Sequence, residues 1–264
     1  MPMKIKTYTL LFLSVLMAVA CSYIEEDERL IYVKPAEVKR RVLLEDFTGQ
    51  RCVNCPKGTE VIELLQETYG DSVFIAVGIH GGPLGFSSNA SVVGLATPMG
   101  DEYYNHWNLE YQPVGLVNRH GAVNYTDWSK AVKEELAKPA PLEMNMSATL
   151  ESGQIKIGLE TFGTDGSTTG KLQAWILENK ITAMQLMPDG KANANYVHHH
   201  VLRAAVNGLW GEDFTIVEGE TKKKVMTQAL EAGWNSENLS VVAFVYNDQG
   251  VQQAVKARVK VKNK

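Results

Sequence analysis

The segment Cys52-Val53-Asn54-Cys55-Pro56 holds the residues best equipped for chemistry. Two thiols three positions apart can close a small disulfide. If the pair opens a helix, unpaired N–H groups and the positive end of the helix dipole favour the thiolate of the first cysteine. Cys52 is then the attacking sulfur, with Arg51 adding positive charge. Cys55, a turn inside, is the buried resolving thiol, and Pro56 suits a first helical turn, where its missing N–H costs nothing. Thiol–disulfide exchange and a small structural disulfide are both open readings of this pair.

A zinc site would need two further ligands, and no second Cys-x-x-Cys exists, so neither a metal nor a cofactor is expected. His198, His199 and His200 are consecutive; in a strand only His198 and His200 share a face, which points to local hydrogen bonding or a domain-interface role. His80, at the carboxyl end of an apolar run, is placed nearer the cysteines. Tyr103, Tyr104, Trp107 and Tyr111 crowd one segment with the spacing of a helix packed on a sheet.

The remaining cysteine, Cys21, belongs to the N-terminus. Lys4 and Lys6 precede a 13-residue apolar run from Tyr8 to Ala20, and Ala18, Val19 and Ala20 lead into Cys21. This is the order of a signal peptide, residues 1–20, and the run is shorter than the ~20 residues that span a bilayer. Cys21 after small residues resembles a lipobox, so lipidation (a palmitate-type acyl chain among others) is expected there. Attachment through two or more chains is lasting. Its removal from the count leaves Cys52 and Cys55 as a matched pair. Glu25, Glu26, Asp27 and Glu28 follow, resembling a surface-export signal of Bacteroidetes lipoproteins or serving as a solvated spacer. The expected location is the outer membrane, lipid-anchored at the cell surface or facing the periplasm.

Composition fits this address. At 45% hydrophobic and 21% charged over 264 residues, the chain can bury a sizeable core. Loss of Lys4 and Lys6 takes 26 basic residues to 24 against 30 acidic, a net −6, so no nucleic-acid partner is expected. The expected partners are the membrane, through the lipid, and a protein or extracellular ligand.

Periodicity supplies the elements that position the cysteines. After a tether over 21–40, Val42–Phe47 is a strand, Cys55 to Tyr69 a helix ended by Gly70, and Ser72–Ile79 an apolar β-branched strand buried on both faces. Strand, helix and strand make a βαβ unit with the cysteines at the helix entrance. Residues 80–97 read as a long glycine- and serine-rich loop, 98–109 as a second helix, Gln112–Val117 as a strand entered through Pro113, and the stretch carrying Trp128, Val132 and Leu136 as a third helix. Pro139-Ala140-Pro141 is the clearest linker. Beyond it the pattern alternates, as at Ile155, Ile157 and Leu159, with glycine turns between strands. The expected fold is an α/β domain over 41–138 followed by an antiparallel all-β, sandwich-like domain over 142–264.

With these elements in place, residues 42–56 resemble the thioredoxin superfamily, Val42–Phe47 being the strand and Cys52/Cys55 the redox pair. The resemblance implies a thioredoxin-like 41–138 domain, with Asp46, or adjacent Glu45, as the buried acid that moves a proton. Gln112-Pro113 would be the cis-proline site that shapes the substrate groove. Thr48-Gly49-Gln50-Arg51 departs from the tryptophan-containing segment of thioredoxins, and Gln112 from their residue before the proline. Over residues 40–264 the chain resembles a family of Bacteroidetes lipoproteins named for a twenty-eight-kilodalton outer-membrane protein. The motifs are Asp46-Phe47-Thr48-Gly49 through Cys55-Pro56, Gly115-Leu116-Val117-Asn118-Arg119, Tyr196 to Ala204, and Trp210-Gly211-Glu212. That likeness implies a binding or adhesion component of the outer membrane; the alternative is a membrane-tethered thiol–disulfide oxidoreductase.

Overall fold

A computed structural model describes residues 37–262. The expected signal peptide, the expected lipidation site Cys21 and the acidic cluster after it lie outside the described residues. Residues 37–262 are mostly β-structure with few helices. In chain order, β1 (Val38–Lys39) and β2 (Val42–Thr48) lead to α1 (Cys55–Tyr69), β3 (Phe74–His80), α2 (Pro98–His106), β4 (Val114–Val117), β5 (Ala122–Asn124) and α3 (Trp128–Leu136). Then come β6 (Pro139–Ala140), β7 (Leu142–Glu151), β8 (Gln154–Gly163), β9 (Ser167–Glu178), β10 (Ile181–Leu186) and β11 (Ala192–His198). The chain finishes with β12 (Val201–Ala205), β13 (Glu212–Val217), β14 (Thr221–Ala229), β15 (Leu239–Asn247) and β16 (Gly250–Val261).

Twelve strands form one mixed sheet in the order β14-β8-β7-β16-β15-β9-β12-β3-β2-β4-β5, with β13 also paired to β9. The β2–β3 pair is parallel over seven residues, as the βαβ connection through α1 requires. β12 joins the two parts of the chain by pairing parallel to β3 at Val201–Gly78 and antiparallel to β9. The expected division into 41–138 and 142–264 is therefore not a division of the sheet. Pro139 and Ala140, expected as linker, instead form β6 and pair with β1. Nor is the later half wholly antiparallel, since β16 runs parallel to β7 at Val259–Val261.

The continuous apolar runs explain why β2 and β3 sit centrally. Every residue of both strands is buried, and alternation sends successive side chains into different cores. Val42 and Leu44 face α1 and α3, packing with Ile62, Leu65, Trp128 and Val132. Leu43 and Phe47 face the other way, onto Tyr103, Trp175 and Phe244. A third core, with Leu142, Ile157, Ile176 and Val241, lies among the C-terminal strands. Each fully buried large side chain contributes about 1.5–3 kcal/mol relative to exposure. Tyr103 and Tyr104 are buried as expected, while Tyr111 is exposed.

Candidate functional site: a covered disulfide over a buried acid

α1 begins at Cys55 with Pro56 in its first turn; Asn54, its N-cap, makes no side-chain capping bond, and no acid lies in that turn. The first turn is closed by backbone bonds, Cys55 N–H donating to Cys52 O (3.3 Å) and Lys57 N–H to Asn54 O (3.0 Å), which sets Cys52 directly ahead of the helix. The two sulfurs form a disulfide, with Cα atoms 5.3 Å apart. The loop before it is shaped by backbone bonds: Cys52 N–H donates to Gly49 O (3.0 Å) and Arg51 N–H to Leu84 O (3.1 Å). Arg51 itself turns outward, its guanidinium 5.1 Å from the centre of the Phe86 ring.

Alternation along β2 separates the two candidate acids. Asp46 shares the α1 side of the sheet and lines a narrow cavity with Thr48, Cys55, Pro56, Thr59, Gly78 and residues of β11. The cavity holds about 20 Å³, room for roughly one water molecule. Asp46 Oδ1 is buried with no hydrogen-bond partner, and burial pushes the carboxyl up to about 8, so it is protonated at neutral pH. Glu45 is on the opposite side. Arg119 grips it through Nε and Nη2 at 2.7–3.2 Å, and the pair is sealed among aromatic rings. Of the two acids proposed for proton transfer, only Asp46 reaches the cysteine cavity; Glu45 is held in a buried ion pair.

The Gln112–Pro113 bond is cis. Gln112 ties the neighbouring loop, accepting from Leu84 N–H (3.1 Å) and donating to Gly81 O (3.0 Å). Pro113 lies against α1 at Gly58, where a Cβ would come within 3.4 Å of its ring.

Sequence reasoning placed His80 near the cysteines but did not bring His198, His199 and His200 to this site. They do not form one strand: His198 ends β11, and His200, with φ +44°, breaks the chain direction before β12. That turn nevertheless brings His198, His199 and His200 to the cavity together with His80 from the end of β3. The His80 and His198 rings meet edge to face at 5.4 Å. Burial holds His80 and His200 at about 3 and His198 at about 4, so all three are neutral at physiological pH. His80 Nδ1 and His198 Nε2 are buried without partners. Among the described residues, no group of three or more His, Cys, Asp or Glu is arranged to hold a metal ion.

The second missed feature is a cover. β10 and β11 form a two-stranded hairpin separate from the main sheet. Gln185 Nε2 donates to Cys52 O at 2.9 Å and to Gly49 O at 3.3 Å. Leu186 N–H donates to Gln50 O at 2.8 Å, and Gln50 Nε2 returns a bond to Met184 O at 2.8 Å. Both cysteines are buried, 1% and 2% exposed, whereas only Cys55 was expected to be. The polar, turn-rich sequence of 185–195 carries no periodic sign of this contact.

These features define a β-rich protein with a single helix-entrance disulfide set over a buried acid and closed by a hairpin. The family model for outer membrane protein Omp28 matches residues 100–263. That is more than half of the chain, which belongs to this family; the cysteine pair lies ahead of the matched segment. No curated protein matches the chain. Among solved structures, HBP35 of Porphyromonas gingivalis is similar at 17% identity and TM-score 0.65, over 87% of this chain and 79% of that one. A protein of Agrobacterium tumefaciens is similar at 15% identity and TM-score 0.51, over 87% of this chain and 100% of that one. A domain of the outer membrane lipoprotein Omp28 of P. gingivalis is 28% identical over 47% of this chain and 92% of that domain, at TM-score 0.34. Among the described residues, no helix is long and apolar enough to cross a membrane.

Proposed function

We propose that this outer-membrane-family protein is a lipid-tethered thiol–disulfide oxidoreductase. In this reading Cys21 carries the lipid, residues 41–138 are a thioredoxin-like part, and residues 142–264 a sandwich-like part built onto the same sheet. One observation carries the proposal: the Cys52–Cys55 disulfide stands at the entrance of α1, and Asp46, raised to about 8, lines the same cavity as Cys55. A carboxyl with that value can give and take a proton near neutral pH. Cys52 then attacks a substrate disulfide, Cys55 resolves the mixed disulfide, and the ionised fraction of Asp46, which grows as pH approaches 8, accepts the Cys55 proton. Pro113 shapes the adjoining surface, and Glu45 serves stability.

A second reading, a binding or adhesion component of the outer membrane with a structural disulfide, is favoured by the burial of both cysteines. The reduction potential of the pair, with exchange rates for the wild type and Cys52→Ser, separates the two. A potential in the range of catalytic thiol–disulfide proteins, with exchange lost in Cys52→Ser, supports the oxidoreductase. A potential far below that range, with slow-reacting thiols, overturns it in favour of the binding component. Protease shaving of intact cells checks the surface location, and labelled fatty acid incorporated in the wild type but not in Cys21→Ser checks the lipid.

A further inference from the structure

The hairpin β10–β11 contributes nothing to the main sheet, yet it spends its polar groups on the loop that carries Cys52. Gln185 and Gln50 are both buried and face each other across this contact. Gln185 takes the carbonyls of Gly49 and Cys52; Gln50 takes those of Met184 and Val93, and its Oε1 accepts from Leu95 N–H at 2.7 Å. Hairpin, cysteine loop and the loop over 80–97 are thus stitched by two amides. Much of the hairpin itself is wet. Residues 192–195 of β11 are all exposed, and in β10 only Ala183 and Gln185 are buried. A two-stranded hairpin with so little apolar burial is at best marginally stable alone, and such segments open at the low end of a protein's stability scale.

From this arrangement we infer that the hairpin Ile181–His198 is a removable cover of the Cys52–Cys55 disulfide and Gln185 its latch, so that opening of the hairpin governs which reductants reach the pair and how fast. The inference deepens the oxidoreductase reading and rests on it for its biological use. The hairpin, not the cysteine motif, then sets access. Gln185 is a positioning residue, acting through the cysteine loop rather than on the reacting sulfurs.

The step it controls balances with a dithiol as reductant. In the open form a thiolate of the dithiol attacks Cys52 Sγ, the Cys52–Cys55 bond breaks, and Cys55 leaves with the electron pair and takes a proton. The second thiol of the reductant attacks its own mixed disulfide, releasing Cys52 and forming a cyclic disulfide. Two electrons and two protons pass from the dithiol to the cysteines.

The test measures the rate of reduction of the full chain against dithiothreitol concentration, with hydrogen exchange at the Leu186 amide. If the cover gates access, the wild-type rate rises with dithiothreitol and then saturates at the opening rate. Loss of the latch bonds in Gln185→Ala raises the rate at low dithiothreitol about 10-fold. The Leu186 amide exchanges faster than Val77 of β3, and faster again in the variant. Lys191→Ala, at the exposed hairpin tip, leaves the rate unchanged. Should Gln185→Ala fail to fold, Gln185→Asn, whose shorter amide reaches one carbonyl at most, is read the same way. A rate that never saturates and is equal in wild type and latch variant overturns the inference, as does a Leu186 amide as protected as Val77. Exchange with a protein disulfide separates the two claims: gated reduction with no loss of exchange in Cys52→Ser sinks only the oxidoreductase, and Cys52-dependent exchange with ungated reduction sinks only the cover.

Discussion

Arg119 and Glu45 form a two-pronged ion pair, with Nη2 to Oε1 at 2.7 Å and Nε to Oε2 at 3.0 Å, and the guanidinium lies 4.1 Å from the centre of the Tyr246 ring and 4.8 Å from that of Phe244. Glu45 comes from β2, Arg119 from the turn after β4, and the rings from β15. The pair therefore joins the first half of the sheet to the second. Burial alone would lower the Arg119 pKa, but the Glu45 carboxylate outweighs it and the net shift is upward. Removing one partner leaves an uncompensated buried charge, so Arg119→Met is expected to cost about 3–5 kcal/mol. The double variant Glu45→Leu/Arg119→Met is expected to be more stable than Arg119→Met alone. Urea unfolding of the single and double variants checks this, and equal midpoints for wild type and Arg119→Met would refute it.

Gly49 holds the cysteine loop close to its neighbour. A Cβ there would stand 2.3 Å from the carbonyl oxygen of Leu84, a backbone atom that also accepts the Arg51 N–H. Gly49→Ala must push these two loops apart, and overpacking of this kind costs about 1–3 kcal/mol. Because the displaced backbone carries Cys52, the disulfide should also become easier to reduce. Thermal unfolding and dithiothreitol titration of the variant are the measurements; an unchanged Tm would mean that Leu84 yields freely.

Local elements were legible because local physics sets them. The helix at Cys55–Tyr69 follows from its entrance proline and Gly70, and the buried strands around it from continuous apolar runs. Burial of Glu45 was not legible, because its partner lies 74 positions away and the choice between Glu45 and Asp46 depends on which face of β2 meets α1. The joining of the two halves was missed for the same reason: Val201 pairs with Gly78 across the expected linker, and periodicity is blind to such register. Gln185 and the histidines 198–200 reach the site through a hairpin that looks like a polar loop in the sequence. The signals available were the run of three consecutive histidines itself and the position of His80 at the carboxyl end of an apolar strand.

Asp46 should make the protein less stable as pH rises. Its folded pKa is about 8, above the ordinary 3.8, because burial disfavours the carboxylate. Between those values the folded state holds a proton that the unfolded state has released. The stability this group contributes is complete below about pH 4 and is lost progressively up to about pH 8. Asp46→Asn, which cannot ionise, is expected to remove that slope and to gain a few kcal/mol over the wild type at pH 8. In the oxidoreductase reading the same variant slows exchange near neutral pH, since Cys55 loses the carboxyl that gives and takes its proton. Urea unfolding from pH 5 to 8 reads the first effect and exchange rates the second; parallel stability curves for the two proteins would rule out a buried, protonated Asp46.

The cavity histidines act with the opposite sign. His80 and His200 titrate at about 3 and His198 at about 4 in the folded protein, all lowered from 6.5 chiefly by burial. Below pH 6.5 the unfolded chain takes up protons there that the folded chain refuses. Their stabilising contribution is complete above about 6.5 and falls away toward pH 4. Three such groups would give a slope near 4 kcal/mol per pH unit at full difference, and Asp46 offsets about one proton of it. A net loss of roughly 2–3 kcal/mol per unit is therefore expected between pH 6 and 5. Replacing one buried imidazole by a neutral amide, as in His200→Gln, should reduce that slope by about one proton, whatever it does to stability at pH 7. Urea unfolding at closely spaced pH values measures the slope directly. If His200→Gln left it unchanged, His200 would have to be charged or solvated in the folded state, against its burial beside His80 and His198.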